Sequence, residues 1–138
     1  MSLKIYIDTN IFLNAILNRD NEISKRVLYF LEDRGFDIIL NDISIINIHY
    51  YVQKDYTFDI AKQHIQIFLD EYTIVSATDK LLSSALNSNF KDFEDAVQYF
   101  YAKEYKSDLI ITNDKKGFKN SEIEMISAND FYLKYVED

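Results

Sequence analysis

Leu3-Lys4-Ile5-Tyr6-Ile7-Asp8-Thr9-Asn10-Ile11-Phe12-Leu13 is the stretch on which the reading of the whole chain turns. Residues 3–7 form a strand-like run with Ile5-Tyr6-Ile7 as its β-forming core. The run ends in the polar triplet Asp8-Thr9-Asn10, and apolar residues resume at once with Ile11-Phe12-Leu13. A buried strand that passes through a polar triplet into a helix sets those polar groups at the strand's carboxyl end. In open α/β sheets that edge is where ligands bind. Thr9 and Asn10 are expected to cap the helix that follows. Most polar residues at a helix start do nothing more than cap it, so the weight of Asp8 depends on whether other acids reach the same edge.

A second stretch repeats the signature. Leu109-Ile110-Ile111 is an apolar strand core that ends in Thr112-Asn113-Asp114. Between the two lie alternating segments. Residues 11–17 read as a helix. Ile23, Val27, Leu28, Phe30 and Leu31 recur at helical spacing, with Gly35 just past the end as a C′ residue. Residues 36–40 read as a strand, and a helix opening at Asn41-Asp42 or Ser44 runs to about Lys54. Residues 58–70 are helical, 71–75 a strand, 78–87 and 92–106 helices, and 123–126 a weak last strand. Ser127-Ala128-Asn129-Asp130 resembles a capping box, with Asp in place of Glu, before a closing helix to Val136. Alternating strands and helices predict an α/β domain with a mainly parallel central sheet of four to five strands flanked by helices. The chain has no proline and two glycines, and it carries no repeat or linker, so residues 1–138 are expected to form one domain. In a parallel sheet, Asp8 and Asp114 then lie at the same edge.

The totals agree with a packed globule. Of 138 residues, 48% are hydrophobic and 15% aromatic, too apolar for disorder. There is no cysteine, which removes disulfides and thiolate metal sites. No apolar run approaches the ~18 residues of a membrane helix, and residues 1–10 lack signal-peptide character. A cytoplasmic location without membrane attachment is the expectation. The formal net charge is −8, which opposes nonspecific binding to nucleic acid. Either the acids are a solvated surface, or some converge on a cation that reverses the local sign.

The third acid comes from Asp92-Phe93-Glu94-Asp95-Ala96-Val97-Gln98. Phe93, Val97, Phe100 and Tyr101 are expected to form this helix's apolar stripe. Asp92 and Asp95 are i,i+3 neighbours near its amino terminus, where the helix dipole favours carboxylates. Capping accounts equally well for Asp92 and Glu94. It accounts less well for Asp95, about one turn inside the helix beside the buried types Ala96 and Val97. Asp8, Asp95 and Asp114 therefore form a convergent trio. Three hard oxygen ligands suit Mg²⁺ or Mn²⁺ rather than zinc, and a cation so held serves phosphoryl chemistry by activating water at a phosphodiester. Thr9, Thr112 and Asn113 stand beside the acids as supporting groups. Lys115, Lys116 and Lys119 follow Asp114 and would either touch substrate phosphates or form a solvated loop. His49 and His64 are the two histidines, and surface or half-buried roles suit them better than catalysis. The clusters Tyr50-Tyr51 and Tyr99-Phe100-Tyr101 are expected to pack in a core or dimer interface rather than stack on bases.

The ordered set resembles the PIN domain, the fold of many metal-dependent ribonucleases and of VapC-type toxins from bacterial toxin–antitoxin pairs. The matching pieces are Ile7-Asp8-Thr9-Asn10-Ile11, then Asp95-Ala96 with Ala102, then Leu109-Ile110-Ile111-Thr112-Asn113-Asp114 and Phe118. Phe93-Glu94-Asp95-Ala96-Val97-Gln98-Tyr99 is similar to a subgroup of the family. The resemblance implies a Mg²⁺ or Mn²⁺ site, endoribonuclease activity on RNA, often homodimerisation and, for a toxin, an antitoxin protein as partner. In one place the chain departs from it. The family usually carries a Glu on the helix after the second strand, and Asn47 occupies the matching position in Ser44-Ile45-Ile46-Asn47-Ile48. Asn47 brings a carbonyl oxygen but no charge; Asp92 or Glu94 is a candidate replacement, and Asn10 a further support. The alternative reading is a PIN-like module that binds RNA or protein with weakened catalysis or none. A haloacid-dehalogenase-type phosphatase wants an Asp where Asn10 stands, and a Rossmann binder wants a glycine-rich turn that is absent.

Overall fold

β1 (Lys4–Ile7) is apolar on both faces and buried on both. Ile5 and Ile7 join one hydrophobic cluster, while Tyr6 between them joins another. That is the two-residue period of a strand inside a sheet covered on both sides. The computed structural model describes residues 3–137. After β1 come α1 (Thr9–Leu17), α2 (Ile23–Asp33), β2 (Asp37–Asn41), α3 (Asp42–Asp55), α4 (Phe58–Glu71) and β3 (Thr73–Val75). α5 (Asp79–Leu86), α6 (Phe93–Glu104), β4 (Leu109–Ile111), β5 (Met125–Ile126) and α7 (Ala128–Phe131) follow, and α7 runs into a π-helical turn, Tyr132–Val136.

The five strands form one parallel sheet in the order β3-β2-β1-β4-β5. Ile5 pairs with Ile38 on one side of β1, and Ile7 with Ile111 on the other. The chain first builds outward from β1 through β2 to β3, then returns to β1's free side for β4 and β5. This reversal between β1 and β4 is the topological switch point, whose crevice at the strands' carboxyl ends is the favoured ligand position. Residues of α1, α2, α3, α4 and α7 cover one face of the sheet, and α5 and α6 the other. Phe12, Ile48 and Phe118 are fully buried; each such side chain stabilises the fold by about 2 kcal/mol.

Helix starts follow one rule from α3 onward. Asn41, Thr57, Thr78, Asp92 and Ser127 each accept a hydrogen bond from the backbone N–H three residues ahead, worth about 1 kcal/mol apiece. The start of α1 breaks the rule and corrects one expectation. Asp8 holds the N-cap position in extended conformation, and Thr9 and Asn10 are the first two helical residues rather than its caps. The stripe expected on α6 is also revised. Phe93 is half exposed, whereas Gln98, Tyr99, Tyr101 and Ala102 join Val97 in the interior. The sheet, α5 and residues Phe118 and Ile123 all pack against α6, so a one-sided pattern does not apply to it. Gly35 has φ +74°, as a residue just past a helix end commonly does.

Candidate functional site

Asp8 is buried, with 5% of its surface exposed. The Asn10 N–H points toward its carboxylate without completing a capping bond. Its oxygens are used across the sheet instead. Thr112 Oγ1 donates to Oδ2 at 2.8 Å and Gln98 Nε2 to Oδ1 at 3.3 Å. Burial pushes the Asp8 carboxyl above its ordinary range; those hydrogen bonds pull it back, and the Asp114 charge adds to the rise.

Thr112 ties the first acid to the last. Its hydroxyl donates to Asp8 and accepts from the Asp114 backbone N–H at 3.0 Å. Asp114 is exposed, and its Oδ1 accepts from the Gly117 N–H at 3.0 Å, closing a tight loop. Gly117 has a second role. A β-carbon there would stand 2.6 Å from Asp114 Oδ2 and 2.3 Å from Asp95 Oδ2. The two carboxylates thus lean over the bare Cα from α6 and from the loop after β4.

Asp95 sits in the first turn of α6, its N–H held by Asp92 Oδ1 at 3.1 Å. Its carboxyl is pushed up to about 6, first by burial and then by the charges of Asp114, Asp92, Asp8 and Glu94. Asp8, Asp95 and Asp114 line one pocket of about 430 Å³, together with Asp92 and Glu94. Thr9, Asn10, Asn47, Tyr51 and Gln98 complete its polar wall, with Leu13 beneath. Asn47 therefore faces the acids from α3. Thr9 also joins its hydroxyl to that of Ser44, bracing α1 against the start of α3.

Other candidates lie elsewhere. Asn113 turns away from the acids, and its Oδ1 accepts from the Ala128 N–H at 3.0 Å. Lys115 pairs with Asp130 at 3.2 Å, while Lys116 and Lys119 are exposed on the same loop. His49 packs edge-on against Phe58. His64 lines a larger, mainly apolar groove of about 870 Å³ between α2 and α4. Tyr99 and Tyr101 are core residues, whereas Tyr50 and Tyr51 are exposed. Gln98 and Gly117 were not among the sequence candidates. The faint signals for them were an amide set between Val97 and Tyr99, and a glycine three residues after Asp114 in a chain with two.

The donor set fits a hard divalent cation. Carboxylate, hydroxyl and amide oxygens surround the pocket, and two of its acids are held above their ordinary range partly by mutual repulsion, which positive charge relieves. Among the described residues no three acids, imidazoles or thiols stand preassembled around one point. A Mg²⁺-type ion does not need that, because it takes one or two protein carboxylates and keeps several waters.

The acids make a stability prediction. Asp95 binds its proton more tightly folded, at about 6, than at its ordinary 3.8. Its contribution to stability is therefore greatest below 3.8 and falls as pH rises toward and past 6. His64, lowered by burial, has the opposite slope, so the effect of Asp95 is read by difference. In EDTA, melting temperatures of the wild type and Asp95→Asn should diverge between pH 5 and pH 7.5, the variant gaining. Parallel curves would contradict the clustered-acid account.

Comparison with known proteins identifies the fold. The sequence profile of the PIN domain matches residues 4–116. Ribonuclease VapC1 of Aquifex aeolicus is 26% identical over 137 residues, covering 94% of each chain. Among solved structures, VapBC2 from Rickettsia felis, bound to a DNA fragment from its promoter, superposes with a TM-score of 0.66 at 18% identity. That match covers 91% of this chain and 98% of the other. A toxin–antitoxin complex from Klebsiella pneumoniae superposes with a TM-score of 0.68 at 15% identity, over 90% and 97% of the two chains. With its switch-point acids, its five-stranded parallel sheet and a profile match over most of its length, this chain belongs to the PIN domain family.

Proposed function

We propose that the protein is a Mg²⁺- or Mn²⁺-dependent endoribonuclease and the toxin of a toxin–antitoxin pair. The observation that carries this reading is the convergence of Asp8, Asp95 and Asp114, from three separate segments, on one acid-lined pocket at the switch point. The VapC1 relative and the toxin–antitoxin structures of like fold support it. Asp8, Asp95 and Asp114 would hold the cation, which when bound supplies positive charge and an acidified water for phosphodiester hydrolysis. The protein's own part is alignment. Thr112 fixes Asp8 relative to Asp114, Asp92 fixes the start of α6, and Gly117 lets the Asp95 and Asp114 carboxylates approach. Asn10 and Asn47 add neutral amides to the pocket wall. Lys116 and Lys119 are assigned to RNA phosphates, which a protein of net charge −8 otherwise repels. The apolar α2–α4 groove, with Tyr29, Tyr56 and Ile67 exposed, suits an antitoxin segment. We also assign a homodimer and a cytoplasmic site of action. Among the described residues no helix is long and apolar enough to cross a membrane.

The test is cleavage of a short single-stranded RNA with Mg²⁺, with Mn²⁺ and with EDTA. Cuts that need the metal are expected; a folded protein that cuts none of several RNAs with either metal would overturn the reading.

The second reading, a binding module of weak activity, is favoured by Asn47, which stands at the pocket wall without a charge. Asn47→Glu separates the two. On the nuclease reading it changes cleavage less than about tenfold, because the three acids already suffice; on the module reading it creates cleavage where the parent has none.

A further inference from the structure

A chain of buried polar side chains, Asn41, Tyr6 and Gln98, ends at Asp8. An ionised carboxylate only accepts hydrogen bonds, so the Gln98 amide must turn its nitrogen to Asp8 Oδ1, at 3.3 Å. Its oxygen then faces the Tyr6 hydroxyl, at 3.4 Å, which must donate. The Tyr6 oxygen is left to accept from Asn41 Nδ2 at 2.6 Å, and Asn41 Oδ1 accepts from the Ser44 N–H at 2.7 Å. Every link has one permitted direction, and Tyr6, Gln98 and Asn41 are all at least nine-tenths buried. The series starts at the N-cap of α3, crosses β2 and β1, and reaches the carboxylate through α6. A lone amide beside Asp8 could flip and present its oxygen, repelling the acid. Here a flip would cost the Tyr6 bond and leave buried groups unpaired.

We propose that Gln98 is a positioning residue that orients the Asp8 carboxylate toward the pocket, and that Tyr6 and Asn41 lock the Gln98 amide in the orientation this requires. The inference rests on the metal-dependent nuclease reading for its consequence in catalysis, but its structural claim does not. Groups that hold a metal-binding side chain from behind typically change metal affinity by roughly 10- to 100-fold when removed. Gln98→Met and Tyr6→Phe keep the apolar volume while removing the amide or the hydroxyl.

The test is a double-mutant cycle read by Mn²⁺ titration calorimetry, with crystal structures of the parent and both single variants. Each single variant is expected to weaken Mn²⁺ binding by roughly tenfold or more. The double variant should be no worse than Gln98→Met, since Tyr6 acts only through the amide. Asp8 should adopt a different side-chain rotamer in Gln98→Met. A merely structural role predicts lower melting temperatures with Mn²⁺ affinity unchanged, and additive losses would mean that Tyr6 acts by another route; either result overturns the proposal. If the parent binds no Mn²⁺, the metal reading fails, and the Asp8 rotamer still decides this one: an unchanged rotamer in Gln98→Met refutes it.

Discussion

Asp8→Asn is expected to lose metal-dependent RNA cleavage by at least ~100-fold, beyond the roughly 10- to 100-fold cost of losing a group behind a metal ligand. Its fold should be as stable as the parent's, or more so, at pH 7.5 in EDTA. The two effects have opposite signs for one reason. Burial holds the Asp8 carboxyl above its ordinary range, so charging it at neutral pH costs folding free energy. An amide of the same shape carries no such cost. Its oxygen can keep the Gln98 bond while its nitrogen donates to Thr112 Oγ1, so the Gln98 amide need not turn over. The lost ligand removes the site's deepest charge. A melting curve with and without Mn²⁺, beside a cleavage assay, reads both effects. The parent should gain thermal stability from Mn²⁺ and the variant little. Cleavage at the parent's rate with Mn²⁺ would remove Asp8 from the site.

Asp95 in the same pocket carries this cost too, its carboxyl being pushed up to about 6. Five acids line it, and among the described residues no basic side chain does. A neutral or apolar lining would fold at lower cost, so a structural role alone does not account for so many acids. α1 shows the same trade. The other N-cap side chains from α3 to α7 serve their own helices, and Asp8 does not. Its carboxylate is committed instead to Thr112 and Gln98 across the sheet.

Much of this was legible in the chain. Ile5-Tyr6-Ile7 and Leu109-Ile110-Ile111 are short apolar runs that end in polar triplets, and both form strands of the sheet. Two like signatures in an alternating α/β pattern place their acids at one edge. Asp95 was visible because an acid beside Ala96 and Val97 is costly without a partner. Gln98 was not visible. It lies in a run of interior residues, and its partners, Tyr6 and Asp8, are more than 90 positions away. The α6 stripe departs from expectation because a period-based reading assumes one buried face, whereas Tyr99 and Tyr101 are both core residues. Thr9 and Asn10 are residue types that favour caps, but Asp8 holds the position. Sequence adjacency groups Asn113 with the acids, while its side chain serves the Ala128 N–H.

Gly117→Ala is expected to lower cleavage by on the order of 100-fold, the cost of misplacing reacting groups by about 1 Å, with little change in melting temperature. Gly117 is not in the left-handed region, so alanine fits its backbone. The obstacle is steric. The new methyl would meet Asp95 Oδ2 at 2.3 Å, Asp114 Oδ2 at 2.6 Å and Asp95 Cγ at 2.8 Å. Something must move, and both obstructing groups are carboxylates at the wall of an open polar pocket rather than core side chains. They can swing apart at small cost to stability, but not without changing the arrangement that holds a cation. Gly35→Ala provides the opposite case. Gly35 has φ +74° and nothing within 4 Å of an added Cβ. The substitution strains the backbone by roughly 1–2 kcal/mol and lies at the end of α2, apart from the acids. It should lower the melting temperature and leave cleavage unchanged. One glycine is thus needed for its missing side chain and the other for its backbone freedom. If Gly117→Ala cleaves RNA as the parent does, the Asp95 and Asp114 carboxylates do not work from the positions in which Gly117 lets them meet.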